Sequence, residues 1–281
     1  MSPTRDVLIS LGSSLSPSMR VLGRLGERLR DPGTTIEEIV LLVRIDPSLT
    51  FKILRLANGV MFGSRTRCDA LEDAVARVGV GEVHRIVGLA ASHQAFQSDL
   101  ATYGFSAGLV WENSSAVASL ASTLARRCGA DPRACYTAGL LRNVGRTVLD
   151  RVPARNRYQN GPLALNEWER ETFGCTAASV SALLLNHWRF PDALVAMVEH
   201  HEDPLAAAGA HAPQASLLHL ACRLADELGA GLPGEQVVRH RAAEVAGVLG
   251  LDEVTIALCR DEAQAEIERT RAALDDLRAA A

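Results

Sequence analysis

Asp46-Pro-Ser-Leu-Thr-Phe-Lys-Ile-Leu-Arg-Leu-Ala-Asn58 is the stretch on which the fold turns. A carboxylate just ahead of an opening helical turn can accept one of its orphan amide hydrogens. Proline in the next position has its φ already set for the first helical residue. Leu49, Ile53, Leu54, Leu56 and Ala57 then recur on more than one side of the turn, and Asn58-Gly59 stops the run. Such a segment predicts a helix buried among other helices.

The same grammar repeats outward. Ser16-Pro17 supplies a cap and a first-turn proline ahead of Val21, Leu22, Leu25 and Leu29, a stripe that closes at Asp31-Pro32-Gly33. Thr35 and Glu38 form a capping box before Ile36, Ile39, Val40 and Val43, and Asp69 with Glu72 repeats that logic before Leu71, Val75 and Val78. Gly79 divides this helix from a longer one bearing Val83, Ile86, Val87, Ala90 and Phe96. Around residues 98–106 the pattern lapses into polar and small residues, a joint between two lobes. Beyond it, helices are predicted near 107–128, 133–150, 164–173, 176–188, 191–201, 213–229, 235–249 and 252–279, with Arg151 to Pro162 an exposed loop. With no run of period-two alternation, the chain reads as all-α. The expected organisation is an N-terminal helical lobe over 1–105, a second helical lobe over 106–230 and a C-terminal helical extension over 231–281.

Composition narrows the function classes. The 281 residues are 48% hydrophobic and 22% charged, with 22 Gly and 11 Pro, which excludes disordered and fibrous chains. A net charge of −4 supplies no global field for phosphate backbones and argues against a nucleic-acid partner. Cys68, Cys128, Cys135, Cys175, Cys222 and Cys259 include no C-x-x-C pair, as expected of reduced, mostly buried thiols. No segment reaches the roughly 18 apolar residues of a membrane span, and Met1-Ser-Pro-Thr-Arg5 lacks the apolar core of a secretory signal. A cytoplasmic protein with no membrane partner is expected.

Asp46 to Asn58, followed by Ala74-Val-Ala-Arg-Val-Gly79, resembles the opening lobe of the HDOD (HD-related output domain) family. Ala138-Gly-Leu-Leu-Arg-Asn-Val-Gly145, Trp188-Arg-Phe-Pro191 and His200-His201 fall where that family has corresponding sequence, so the resemblance covers roughly residues 15 to 230. It implies a two-lobed all-α signalling protein, linked to cyclic-dinucleotide networks, whose second lobe is related to the HD phosphohydrolases. HD chemistry needs imidazoles and carboxylates that hold one or two divalent metals and activate water against a phosphoester. Carried over residue by residue, the resemblance places the first histidine ligand at Asn113 and the name-giving His-Asp pair at Arg142 and Asn143. A further histidine position falls on Thr176 and the late aspartate on Cys222, while His200 and His201 remain as histidines.

Arginine has no lone pair to offer a metal, and adjacent histidines on one helix point about 100° apart. The site therefore reads as dismantled, with no catalytic residue, metal or cofactor expected, although Cys222 with either histidine would make a partial soft site. Arg142 has two open readings: it pairs with an acidic side chain such as Glu112 or Glu199, or it attracts an anionic small molecule. His84 and His93 read as hydrogen-bonded or partly exposed residues, and Trp111, Trp168 and Trp188 as inter-helix anchors. Arg65, Arg67, Arg77 and Arg85 lie among acids and read as an ordinary solvated face. The stripe Val254, Ile256, Ala257, Ala263, Ile267, Ala273, Leu274, Leu277 either packs on the second lobe or serves self-association. Walker A and H-E-x-x-H strings are absent. The expectation is a bacterial signalling adaptor, a non-catalytic binding module acting in trans on a regulatory protein, with metal-dependent phosphohydrolase as the rival.

Overall fold

In the computed structural model Asp46 does cap its helix, accepting the Ser48 amide at 2.9 Å, and Leu49, Ile53 and Ala57 of that helix are buried. Its burial is one-sided, however, because Phe51 on the opposite face is 63% exposed. The structure describes residues 2–13, 15, 17–59, 68–160, 163–207, 209–235 and 242–279. Ser16, Arg65, Arg67, Pro162 and the predicted helical start over 236–241 lie outside them.

The first half of the chain forms α1 (Arg5–Ser13), α2 (Pro17–Arg28), α3 (Ile36–Val43), α4 (Pro47–Ala57), α5 (Leu71–Val78) and α6 (Val80–Ala95). The Thr35–Glu38 capping box closes α3 in both directions. The corresponding box at Asp69 does not form. Ala70 occupies the N-cap of α5 without a side-chain bond, and the Glu72 carboxylate accepts instead from Arg44 at 2.7 Å. Gly79 links α5 to α6 at φ 83, a conformation that costs only glycine nothing. Helix α1 was not legible in the sequence, since only Leu8 and Gly12 of its residues are buried and Val7 is 47% exposed.

The second half forms α7 (Ala107–Cys128), α8 (Pro132–Leu141), α9 (Val144–Leu149), α10 (Leu165–Phe173), α11 (Ala177–His187), α12 (Asp192–His200), α13 (Ala212–Glu227), α14 (Ala242–Leu249) and α15 (Glu253–Ala279). Among the described residues no strand forms; the segment at 98–106 is closed by one isolated antiparallel bridge between Leu100 and Phe105. The loop after α9 is less exposed than expected: Val152 and Tyr158 are buried, and the Tyr158 amide donates to Thr102 O at 2.8 Å. One cluster of buried apolar side chains runs from Leu8 to Ile267. Helix α2 lies along α6, α6 along α8, and α15 along α7, where Cys259, Ala263 and Ile267 are buried. The side chains of Ala273, Leu274 and Leu277 lie outside the description. All six cysteines are free thiols.

Candidate functional site: a cleft filled by paired charges

The predicted helix over 133–150 is interrupted, and the interruption builds the site. Helix α8 ends at Leu141 and α9 starts at Val144, leaving Arg142 and Asn143 at the bend. Ser181 of α11 holds the bend, donating to Arg142 O at 2.7 Å and accepting from the Gly145 amide at 2.8 Å. Gly145 permits this approach, because a side chain there would begin 2.8 Å from Ser181 N. Gly139 does the same for α8 against α7, where a Cβ would sit 2.6 Å from Ala118 N. These close approaches bring Asn113 of α7 and Arg142 together.

Arg142 and Asn143 then meet a network. Arg142 donates to Asn113 Oδ1 and makes a two-pronged contact with Glu235, Nη1 to Oε1 at 2.6 Å and Nη2 to Oε2 at 2.8 Å. Asn143 Nδ2 donates to Asn113 Oδ1 at 3.0 Å and to Ser114 Oγ at 2.9 Å, while Asn113 Nδ2 donates to Ala230 O at 2.7 Å. Arg146, one turn beyond Arg142, donates to Asn143 Oδ1 and to Glu169 Oε1 at 3.1 Å, and forms an ion pair with Glu235 Oε1 at 3.0 Å. The other Glu169 oxygen accepts the Ala177 amide at 2.7 Å, at the start of α11. The Arg142, Arg146 and Glu169 side chains are 0%, 2% and 0% exposed, so these charges have no access to water and depend on one another.

The charges set the protonation of their neighbours. Burial alone would raise the Glu235 carboxyl, but Arg142 and Arg146 outweigh it and hold it well below the usual carboxylate range. Burial raises Glu169 from its ordinary value, with Arg146 and the Ala177 amide pulling back. Burial, reinforced by Arg142, lowers His201 to about 3, so its imidazole is neutral near pH 7. Burial pushes the Cys222 thiol up to about 12. Glu202 is raised to about 7, first by burial and then by the Glu169 charge.

The model of the HDOD domain matches residues 15–204. The chain belongs to the HDOD family. An HDOD domain protein of unknown function from Geobacter sulfurreducens shares the fold at a TM-score of 0.71 and 21% identity, over 97% of this chain and 98% of that one. A protein of Shewanella amazonensis SB2B, described provisionally as a phosphohydrolase, superposes at 0.62 with 22% identity over 92% and 93% of the two chains. One from Marinobacter aquaeolei VT8, described provisionally as a signal transduction protein, does so at 0.58 with 21% identity over 94% and 65%. At these identities the likeness shows the fold alone. An uncharacterized protein of Treponema pallidum (strain Nichols) is 23% identical over 221 residues, 75% of this chain; the chain spans 42% of that relative's length.

The HDOD lobe's kinship with HD enzymes implies a metal centre, and the residues present do not fit one. Two guanidinium groups stand in the cleft, where their charge opposes a divalent cation, and Glu169 and Glu235 are committed to them. Among the described residues no group of three His, Cys, Asp or Glu side chains is placed to hold a metal ion. The His201 Nδ1 edge is bound to Val198 O at 2.7 Å.

Of the candidate residues, Asn113, Arg142 and Asn143 are in direct contact, and His201 and Cys222 are buried within electrostatic reach of Arg142. Thr176 is spent elsewhere, capping α11 by accepting the Ser179 amide at 3.2 Å. His200 is half-buried at the end of α12 and takes no part in the network among the described residues. Arg142 pairs with an acid, as one sequence reading had it, but the acid is Glu235 rather than Glu112 or Glu199. The sequence reading also missed Arg146, Glu169, Glu202, Ser114 and Ser181. Two of these leave a trace, since Arg146 sits inside the apolar run Val144–Leu149 and Glu169 lies on the stripe of Leu165 and Phe173. Glu235 leaves only the preceding Pro233-Gly234 turn.

Two strings in this HDOD chain look catalytic and are not. Gly104-Phe-Ser-Ala-Gly108 has the G-x-S-x-G form, yet Ser106 caps α7 with its hydroxyl accepting the Leu109 amide at 3.2 Å. Gly229-Ala-Gly-Leu-Pro-Gly234 has the G-x-G-x-x-G form but follows helix α13 where a dinucleotide fold needs a strand.

Proposed function

We propose that this HDOD protein is a non-catalytic bacterial signalling module of the cytoplasm that recognises a regulatory protein in trans, within a cyclic-dinucleotide-linked or related pathway. The observation that carries the reading is the filled cleft: buried guanidiniums of Arg142 and Arg146, clamped by Glu169 and Glu235, stand among the positions where an HD enzyme needs metal donors. A cleft in which charges are neutralised internally is suited to recognition and poorly suited to polarising a phosphoester. The M. aquaeolei relative's description as a signal transduction protein favours the same class.

The rival, a metal-dependent phosphohydrolase, draws on the S. amazonensis relative's description and on His201 and Cys222 as soft donors. The two readings part in one assay. Purified full chain incubated with manganese, iron(II) or zinc is expected to cleave neither bis(p-nitrophenyl) phosphate nor a cyclic dinucleotide above the metal-only background. Turnover that is lost in His200→Ala or His201→Ala would move the protein to the hydrolases.

A further inference from the structure

Glu235 enters the cleft from outside the helices. It ends the turn Leu232-Pro233-Gly234-Glu235, in which the Glu235 amide donates to Leu232 O at 3.1 Å and Gly234 has φ 73, the pattern of a type II turn with proline and then glycine at its centre. The base of the turn is anchored: Leu232 is 3% exposed, Asn113 holds Ala230 O, and the Leu165 amide donates to Gly234 O at 2.8 Å. Among the described residues of this turn the Glu235 side chain reaches on into the cleft, and at 11% it is more exposed than Arg142, Arg146 or Glu169.

Two guanidiniums converge on its carboxylate. Two N–H bonds from Arg142 reach its two oxygens, and the Arg146 Nη2 stands 3.0 Å from Oε1 as an ion pair. A further donor, the buried Arg142 Nε, has no hydrogen-bond acceptor among the described residues. Asn113 and Asn143 hold the two guanidiniums from the side, through Oδ1 to Arg142 and Oδ1 to Arg146, and so aim the remaining N–H groups at one place. Charge points the same way. Glu169 offsets one arginine and Glu202, near Arg146, keeps its proton below about pH 7, so in that range the cluster without Glu235 is left with one uncompensated positive charge. Planar guanidiniums that share a target bind a tetrahedral oxyanion well, and a phosphate's three terminal oxygens suit this donor set better than the two of a carboxylate.

We propose that Arg142 and Arg146 form an oxyanion pocket for a phosphate-bearing small molecule, and that Glu235 fills it in the free protein as an internal stand-in. The ligand displaces one side chain, the most exposed of the four charged ones, and the anchored Leu232 stays in place. This rests on the reading of the cleft as a recognition site; hydrolysis assays decide that reading, whereas binding decides this one.

Inorganic pyrophosphate is the probe, titrated calorimetrically into the full chain. Glu235→Ala is expected to bind it at least tenfold more tightly than the unaltered protein, and Arg142→Gln with Glu235→Ala is expected to lose that gain. Because Glu235→Ala exposes two buried charges to each other, Glu235→Gln is measured beside it: the amide keeps an acceptor and drops the charge. A Glu235→Ala chain that folds only with pyrophosphate also supports the pocket. If Glu235→Gln binds no more tightly than the unaltered protein, and Glu235→Ala shows neither tighter binding nor rescue by pyrophosphate, the proposal is overturned. It is overturned equally if the double variant keeps the gain.

Discussion

Glu169 occupies a place on α10 that a helix ordinarily gives to an apolar side chain, between Leu165 and Phe173 and fully buried. It is held there by the Arg146 guanidinium at 3.1 Å and by the Ala177 amide at 2.7 Å. Without Glu169 the two buried guanidiniums of Arg142 and Arg146 share the single charge of Glu235, and a buried charge left without its own counter-charge costs about 3–5 kcal/mol. Glu169→Ala is therefore expected to lower the unfolding free energy by that much in urea titration. Arg146→Met with Glu169→Leu, which removes both charges, is expected to recover most of the loss. A Glu169→Ala protein as stable as the parent would show that Glu235 alone compensates both guanidiniums.

Between elements, the site depends on two helix pairs that touch through glycine. A methyl group at Gly145 collides with Ser181 N, and one at Gly139 with Ala118 N; backbone atoms can yield only if a helix shifts. Gly139→Ala and Gly145→Ala are each expected to destabilise by about 1–3 kcal/mol, the usual penalty for overpacking. Gly108→Ala in the exposed first turn of α7, where nothing lies within 4 Å, is expected to be neutral or stabilising by up to about 1 kcal/mol. Thermal melts of the three variants test the contrast. Equal effects at all three positions would mean that close packing is not what these glycines serve.

Across the molecule, buried histidines tie stability to pH. His84 of α6 faces Thr137 of α8 at 3.3 Å, and burial, aided by the Arg133 charge, lowers it to about 4, while His201 falls to about 3. Both stay neutral in the fold while the unfolded chain takes up protons below about pH 6.5, so their contribution is complete above that pH and is lost on acidification. Glu202 acts in the opposite sense. Raised to about 7, it keeps its proton in the fold, so its contribution falls as pH rises from about 4.5 to 7. Glu169, also raised by burial, acts in the same sense as Glu202, so two carboxyls oppose the two histidines and the histidine contribution is read from a variant. Relative to the parent, His84→Gln is expected to lose less stability in urea titration between pH 6.5 and 4.5, by up to about 1.4 kcal/mol per pH unit. A His84→Gln profile parallel to the parent's would show that His84 takes up a proton in the folded state.

The sequence by itself determined what depends on neighbours in the chain. Caps and stripes placed most helices, including α7 with its bounds at Ala107 and Cys128, because a side chain three or four residues away is always within reach. By resemblance it also put Asn113, Arg142, Asn143 and Cys222 where an HD enzyme would have its metal ligands, a comparison of residue identities that needs no coordinates. Only the tertiary structure decided what those residues do. The helix predicted through 133–150 bends at Arg142-Asn143 because Ser181, from α11, bonds both sides of the bend. Arg142 found Glu235, 93 residues along the chain, and not a nearer acid. A buried charge takes whatever opposite charge the packing brings against it, and in this chain helix packing and one proline-glycine turn brought Glu235 there.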